Sequence, residues 1–162
     1  MPSIRRQQQG NAVDISLDAT NRLLLSELQS DARLTIAELG RRVGLSSPAV
    51  AERLQRLEQQ GVIRGYHAEI DPRALGLSLT AIIRIRPAPG QLRNVAELAQ
   101  RTPEIVECHR ITGEDCFFAK AHVRDVEHLE EIIDHFVALG QTTTSIMQSS
   151  PVRGRGVSLE PD

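Results

Sequence analysis

The stretch from Thr35 to Ile63, TIAELGRRVGLSSPAVAERLQRLEQQGVI, limits the possible folds of this chain more than any other. Ile36, Leu39 and Val43 recur at helical spacing and give a first short helix one apolar stripe. Gly44-Leu45-Ser46 follows: glycine supplies a left-handed turn, and a serine stands where it can cap the next helix. Ser47-Pro48 opens that second helix, with proline in the first turn, where its missing N–H costs nothing. Val50, Leu54 and Leu57 form its stripe, and Gly61 ends it. Two short helices joined by a tight turn make a helix-turn-helix, whose second helix enters the major groove of DNA.

The alternative is an αα-hairpin used only for packing. The outward face of the second helix argues against it. With Val50 at the origin of a 3.6-residue wheel, Leu54 and Leu57 fall within about 40° of it. Pro48, Glu52, Gln55, Arg56 and Gln59 fall on the far side, with Arg53 at the flank. Small Ser47, Ala49 and Ala51 allow close approach near the N-terminal end. Base edges and phosphates require both hydrogen-bonding side chains and room to approach. The expected DNA-facing residues are therefore Ser46, Ser47, Pro48, Ala49, Glu52, Arg53 and Arg56, with duplex DNA as the partner. Glu52 and Arg56 also fit an ordinary i,i+4 surface pair.

Charge is distributed unevenly. The formal net charge is −2 over 162 residues, which argues against a protein that coats nucleic acid generally. Residues 1–66 carry nine arginines against seven acids, whereas residues 67–162 carry ten basic groups against fourteen acids. Any steering to DNA comes from a local patch on the first part. Aromatic content of 2% means an aliphatic core. No apolar run reaches the length of a membrane span, and Met1–Gly10 is polar, without a signal-like core. Cys108 and Cys116 are too few for a disulfide framework, so a reducing cytoplasm is expected.

The expected organisation starts with a disordered polar arm over residues 1–16. A winged helix-turn-helix follows over residues 17–70, opening on a helix that runs to Ser30 with Leu24, Leu25 and Leu28 on one side. Val62 to Ile70 has β-like composition around a glycine and reads as a small wing or linker strand. Asp71-Pro72 and Gly76 then break the chain, giving a linker over residues 71–78. Residues 79–152 read as strand Leu79–Arg86, helix Leu92–Gln100, strands Ile105–Ile111 and Cys116–Val123, helix Val126–Leu139 and strand Gln141–Gln148. The order βαββαβ is that of a ferredoxin-like fold, so the whole chain is α+β. Residues 153–162 read as a flexible tail. Such a sheet carries both helices on one face, and Ile82 beside Ile83 and Phe117 beside Phe118 offer apolar groups to the other. That face is expected to be covered by a second copy in an isologous dimer.

The block LDATNRLLLSELQSDARLTIAELGRRVGLSSPAVAERLQRLEQQGVIRGYHAEIDPRALG, with ITGEDCFFAKAHV and TTTSIMQSS further on, resembles the leucine-responsive/asparagine-responsive (Lrp/AsnC) transcription regulators of bacteria and archaea. The resemblance spans roughly Leu17 to Val152. It implies a winged helix-turn-helix joined to an αβ effector-sensing domain, dimers commonly assembled into octamers, and an amino acid as effector. The family's sensing loop commonly reads T-G-x-x-D. Here Thr112-Gly113-Glu114-Asp115-Cys116 puts cysteine at that aspartate's place, which leaves the ligand's identity open.

The residues of that loop have their own chemistry. Gly113 permits a tight turn and exposes N–H groups able to receive a carboxylate. Glu114 and Asp115 are candidates to pair with an α-ammonium. Thr142, Thr143, Thr144 and Ser145 add hydroxyls, although threonine suits a strand in any case. The expected effector residues are thus Gly113, Glu114, Asp115, Cys116, Thr142, Thr143, Thr144 and Ser145. No catalytic residue, metal or cofactor is expected. Cys108 and His109 are adjacent and would face opposite sides of a strand, which prevents a shared metal. The enzyme alternative is a haem-precursor decarboxylase, which looks like this family and would recruit His109, His122, Arg84 and Arg110. A sensing subunit without DNA binding is a third reading.

Overall fold

The computed structural model describes residues 17–159. The expected polar arm over residues 1–16 lies outside them. The chain divides into two compact units. Among the described residues, the first contains residues 17–68 together with 154–159, and the second runs from Glu69 to Arg153.

The first unit is a three-helix body. Helix α1 (Ala19–Ser30) starts at Asp18, whose carboxylate accepts the Asn21 amide at 2.6 Å. Helix α2 (Ile36–Val43) starts at Thr35, whose hydroxyl accepts the Glu38 amide at 3.1 Å. Both are N-caps satisfying amides that the helix itself leaves unpaired. Gly44 ends α2 with φ 70°, a left-handed conformation that favours glycine. The turn then folds back so closely that a Cβ on Gly40 would stand 2.6 Å from the Leu45 carbonyl oxygen. Helix α3 (Ser47–Gln59) follows with Pro48 in its first turn. Ser46 occupies its N-cap position, but its side chain makes no capping hydrogen bond, contrary to the sequence expectation. Leu24, Leu39, Val50 and Leu54 form the core of this unit, with Leu28, Leu34, Val43, Leu45 and Ile63 packed around them.

After α3 the Leu57 carbonyl receives the amides of Val62 and Ile63 at 2.9 and 3.2 Å, which reverses the chain. Residues 64–70 then carry no ladder partner among the described residues, so the expected wing strand is absent as a hydrogen-bonded strand. Composition there suits a strand, but strand formation needs a partner edge.

The second unit opens with a 3-10 turn, Pro72–Leu75. It continues through β1 (Leu79–Pro87), α4 (Leu92–Arg101), β2 (Ile105–Arg110), β3 (Phe117–Val123), α5 (Val126–Val137) and β4 (Gly140–Ile146). Each element lies within a residue or two of its expected bounds. The sheet order is β2-β3-β1-β4 and every neighbouring pair is antiparallel, the ferredoxin-like arrangement. Ala81, Ile83 and Ile85 of β1, with Phe117, Ala119, Ala121 and Val123 of β3, pack beneath Val95, Ala99, Leu129, Ile132 and Phe136 of the helices.

Burial alternates from residue to residue through β3 and, from Thr80 to Arg86, through β1. The sheet's other face therefore presents Thr80, Ile82, Arg84 and Arg86 beside Phe118, Lys120 and His122. It is more polar than the pairing of adjacent apolar residues led one to expect, with Ile82 and Phe118 as its apolar members.

Residues 154–159, expected as a free tail, instead fold onto α1. The Arg22 guanidinium donates to the Leu159 carbonyl at 3.1 Å and to the Leu17 carbonyl at 3.2 Å.

Candidate nucleic-acid interface and sensing loop

Helix α3 buries Val50, Leu54 and Leu57 and exposes Ser46, Ser47, Pro48, Ala51, Glu52, Gln55, Arg56 and Gln59. Ala49, at the edge of the buried stripe, is half-buried. Glu52 and Arg56 form an exposed pair at 2.7 Å, which leaves both heads at the surface.

Arg53 stands apart from the other predicted DNA-facing residues. Its guanidinium donates to the Asp18 carboxylate at 2.6 Å and to the Asn21 side-chain carbonyl at 3.0 Å. Arg53 therefore binds α3 to the N-terminus of α1. Its guanidinium and the Asn21 amide together hold the Asp18 carboxyl below the usual carboxylate range. The wheel placed Arg53 at the flank; an acid many residues upstream decides where its head goes.

Other arginines of this unit are also engaged. Arg42 joins Glu27 at 2.6 Å and Glu38 at 3.0 Å, tying α2 to α1. Arg33 and Arg64 are exposed, and their guanidinium groups have no acidic partner among the described residues. Sequence reasoning passed over both, because each lies outside the two core helices of the motif. Tyr66 donates to Glu58 on α3 at 2.9 Å. Burial, with that carboxylate next in effect, pushes its phenol up to about 12.

The loop expected to meet the effector lies between β2 and β3. Gly113 has φ 112°, a conformation that side-chain-bearing residues rarely adopt. The neighbouring acids are already paired. Asp115 faces Arg84 at 3.5 Å. Glu114 pairs with Arg86, whose Nε also donates to the Glu114 carbonyl at 3.2 Å. The expectation of carboxylates ready for an α-ammonium thus needs correction: two β1 arginines occupy them. The missed signal was the strand period, which puts Arg84 and Arg86 on one face at the end of β1 where the loop closes. Cys116 is half-buried, and its carbonyl accepts the Ile111 amide at 2.9 Å, closing the loop.

The four hydroxyl residues of β4 do not form one cluster. Thr142 and Thr144 pair with Ile85 and Ile83 and share their helix-covered face. Thr143 and Ser145 pair with Arg84 and Ile82 on the open face. Thr143 therefore sits beside the Arg84–Asp115 pair, while Thr142 and Thr144 point away from it.

The residues of the decarboxylase alternative divide between the faces: Arg84, His109 and His122 lie on the open face and Arg110 on the other. His109 pairs with Phe118 and Arg110 with Phe117, so they face opposite sides of the sheet. His122 is engaged with Thr80 at 3.0 Å. Burial, then Lys120, pushes its imidazole below the usual range. Among the described residues no group of three His, Cys, Asp or Glu side chains is placed to hold a metal ion.

Two family models match. One, described as winged helix-turn-helix DNA-binding, covers residues 17–64, and the other, described as the Lrp/AsnC ligand binding domain, covers residues 80–157. The HTH-type transcriptional regulator YezC of Bacillus subtilis (strain 168) is 42% identical over 134 residues, which is 83% of this chain and 95% of that protein. The chain belongs to the Lrp/AsnC family. Solved Lrp/AsnC structures agree with its fold. B. subtilis LrpC superimposes with a TM-score of 0.82 at 31% identity, covering 86% of this chain and 100% of that one. A feast or famine regulatory protein from M. tuberculosis, complexed with L-methionine, gives 0.82 at 32% identity over 88% and 99% of the two chains. This Lrp/AsnC chain is a DNA-binding transcription regulator, and its relatives are named as regulators rather than enzymes.

Proposed function

We propose that this regulator reads duplex DNA with the exposed face of α3 and responds to an amino acid held at the Gly113 loop. The observation that carries the first half is the two-sidedness of α3. Val50, Leu54 and Leu57 are buried, while Ser47, Pro48, Glu52, Gln55 and Arg56 are exposed on the side that faces away from α1 and α2. Ser46, Ser47, Pro48 and Ala49 approach the backbone, Glu52 reaches the groove, and Arg56 meets a phosphate at its edge. Arg53 acts through Asp18 and Asn21, holding α3 at its angle to α1. Arg33 and Arg64 supply further phosphate contacts from the flanks.

The second half is supported by the glycine-dependent turn and by the Arg84–Asp115–Thr143 group beside it. A carboxylate entering between Arg84 and Asp115 would take over the guanidinium, and the displaced acid would become available to an ammonium. Glu114, at the tip, is 86% exposed on its side chain, so the loop in one chain gives a ligand a single wall. A partner subunit supplies the other. The protein works as a homodimer through the open sheet face, with Ile82 and Phe118 at its centre, and as an octamer of four such dimers, in the cytoplasm. Binding at a subunit boundary lets a few kcal/mol of differential affinity shift the spacing of the DNA-binding heads.

The test is calorimetry with each of the twenty amino acids, L-methionine first, on wild type and Gly113→Val. Heat with wild type that disappears in the variant supports the loop. No binding to wild type, or unchanged binding in the variant, removes the loop from the mechanism.

A further inference from the structure

The chain crosses between its two units twice. It leaves the DNA-binding unit near Ala68, builds the sensing unit, and returns at Gly154 to the DNA-binding unit. Its final described residues lie along the outer side of α1, against Ala19, Arg22, Leu23, Ser26 and Gln29. These positions repeat at helical spacing and lie away from the buried Leu24 and Leu25. Gly156 sits against the Gln29 side chain, and Leu159 is half-buried. Arg22 holds both ends together: one guanidinium nitrogen bonds the Leu159 carbonyl and another the Leu17 carbonyl, directly before the helix cap.

That cap is the anchor of the recognition helix, because Asp18 and Asn21 both accept Arg53. A continuous set of hydrogen bonds therefore runs from Leu159 through Arg22 to Leu17, and from the adjoining Asp18 to Arg53 on α3. From this connectivity we infer that residues 154–159 act as a second tether. The segment joins the end of the sensing unit to the seat of the recognition helix, so that a change at Arg153 reaches α3 through α1 as well as through the linker after Ala68. The inference rests on α3 being the DNA-reading element.

Hydrogen exchange and DNA binding by the full chain test it together. Three proteins are compared: wild type, a chain ending at Arg153, and Arg22→Lys, which keeps the charge but cannot bond two carbonyls in the same way. Binding is measured on a duplex selected in vitro by wild type. In wild type, residues 154–159 should exchange more slowly than a free peptide. Both variants should exchange faster over the first turns of α1, with β1 to β4 unchanged. Both should bind DNA about five- to tenfold more weakly, the lower range of ordinary coupling between sites. The truncation removes Arg155 but also Glu160 and Asp162, so charge alone would strengthen binding to DNA. A loss of affinity therefore has the opposite sign to the electrostatic effect. Free-peptide exchange of residues 154–159 in wild type overturns the proposal. So does DNA binding by Arg22→Lys that matches wild type. If wild type selects no duplex, the DNA-reading assignment fails instead, and the exchange data still decide whether the segment docks.

Discussion

In the DNA-binding unit, Arg56 pairs with Glu52 one helical turn away, while in the sensing unit Arg84 and Arg86 of β1 reach acids on the loop between β2 and β3. The first kind of pair follows from helix period. The second follows from strand register, which depends on where the whole sheet closes. Arg53 belongs to the second kind although it lies on a helix, because its partner Asp18 caps a different helix. Arginine function in this protein is thus set by long-range placement, except where a partner lies within one turn. The two units also differ in how they are closed: among the described residues, the sensing unit uses one uninterrupted segment, and the DNA-binding unit uses two, 17–68 and 154–159.

The largest expected effect breaks one unit at a time. Phe136 is fully buried between α5 and the sheet, and Leu39 is 1% exposed in the core of the three helices. Phe136→Ala should cost about 3–5 kcal/mol and Leu39→Ala about 2–5 kcal/mol. Calorimetry should show each variant lowering one transition and leaving the other in place. A single transition moved by both would show that the two cores unfold as one.

The next effect separates positioning from contact. Asp18→Ala removes an N-cap and the anchor of Arg53, and should cost about 1 kcal/mol of stability in denaturant titration. Because the folded carboxyl lies below its ordinary value, this contribution is complete above about pH 4. It is lost as pH falls through the folded value, so the gap between wild type and variant should close in acid. A gap independent of pH would contradict the pairing.

Arg56→Ala should leave stability nearly unchanged, since its pair with Glu52 is well exposed. DNA affinity should fall, and the slope of log affinity against log salt should drop by about 0.9 if Arg56 meets a phosphate. Arg64→Ala and Arg33→Ala are expected to behave in the same way. An unchanged affinity and slope would place these residues away from the DNA.

The smallest effect is spectroscopic. Tyr66 is the sole tyrosine, so phenolate absorbance reports it alone. The folded protein should titrate near about 12, and the unfolded chain near about 10. Because the folded value is raised, stability from this contact is full below the unfolded value and declines as pH rises through the folded one. Glu58→Gln should lower the folded midpoint. An unshifted midpoint would mean that Tyr66 does not pack on α3.

Much of this was readable from the residues. The apolar period of Val50, Leu54 and Leu57 gave the face that α3 turns inward, whereas the alternation of Ile83 and Ile85 with Arg84 and Arg86, equally present in the residues, was passed over for the adjacent Ile82 and Ile83. The small wing or linker strand read at Val62–Ile70 forms no ladder among the described residues, because a β-like composition does not say whether an edge is there to pair with. Thr142 to Ser145 looked like one row of hydroxyls, but a strand sends alternate side chains to opposite faces, and only the pairing with β1 shows which pair meets Arg84. The role of Arg22 was hidden for a similar reason: its partner is a backbone carbonyl near the other end of the chain.

The most direct test of the central claim is one binding experiment. A duplex is selected from a random library by the wild-type protein, and its affinity is measured with and without L-methionine for wild type, Arg56→Ala and Gly113→Val. The account predicts sequence-specific binding that L-methionine changes in wild type, weaker binding by Arg56→Ala that still responds to L-methionine, and full binding by Gly113→Val without any response. Wild-type binding that ignores sequence, or a response to L-methionine that survives in Gly113→Val, would contradict it.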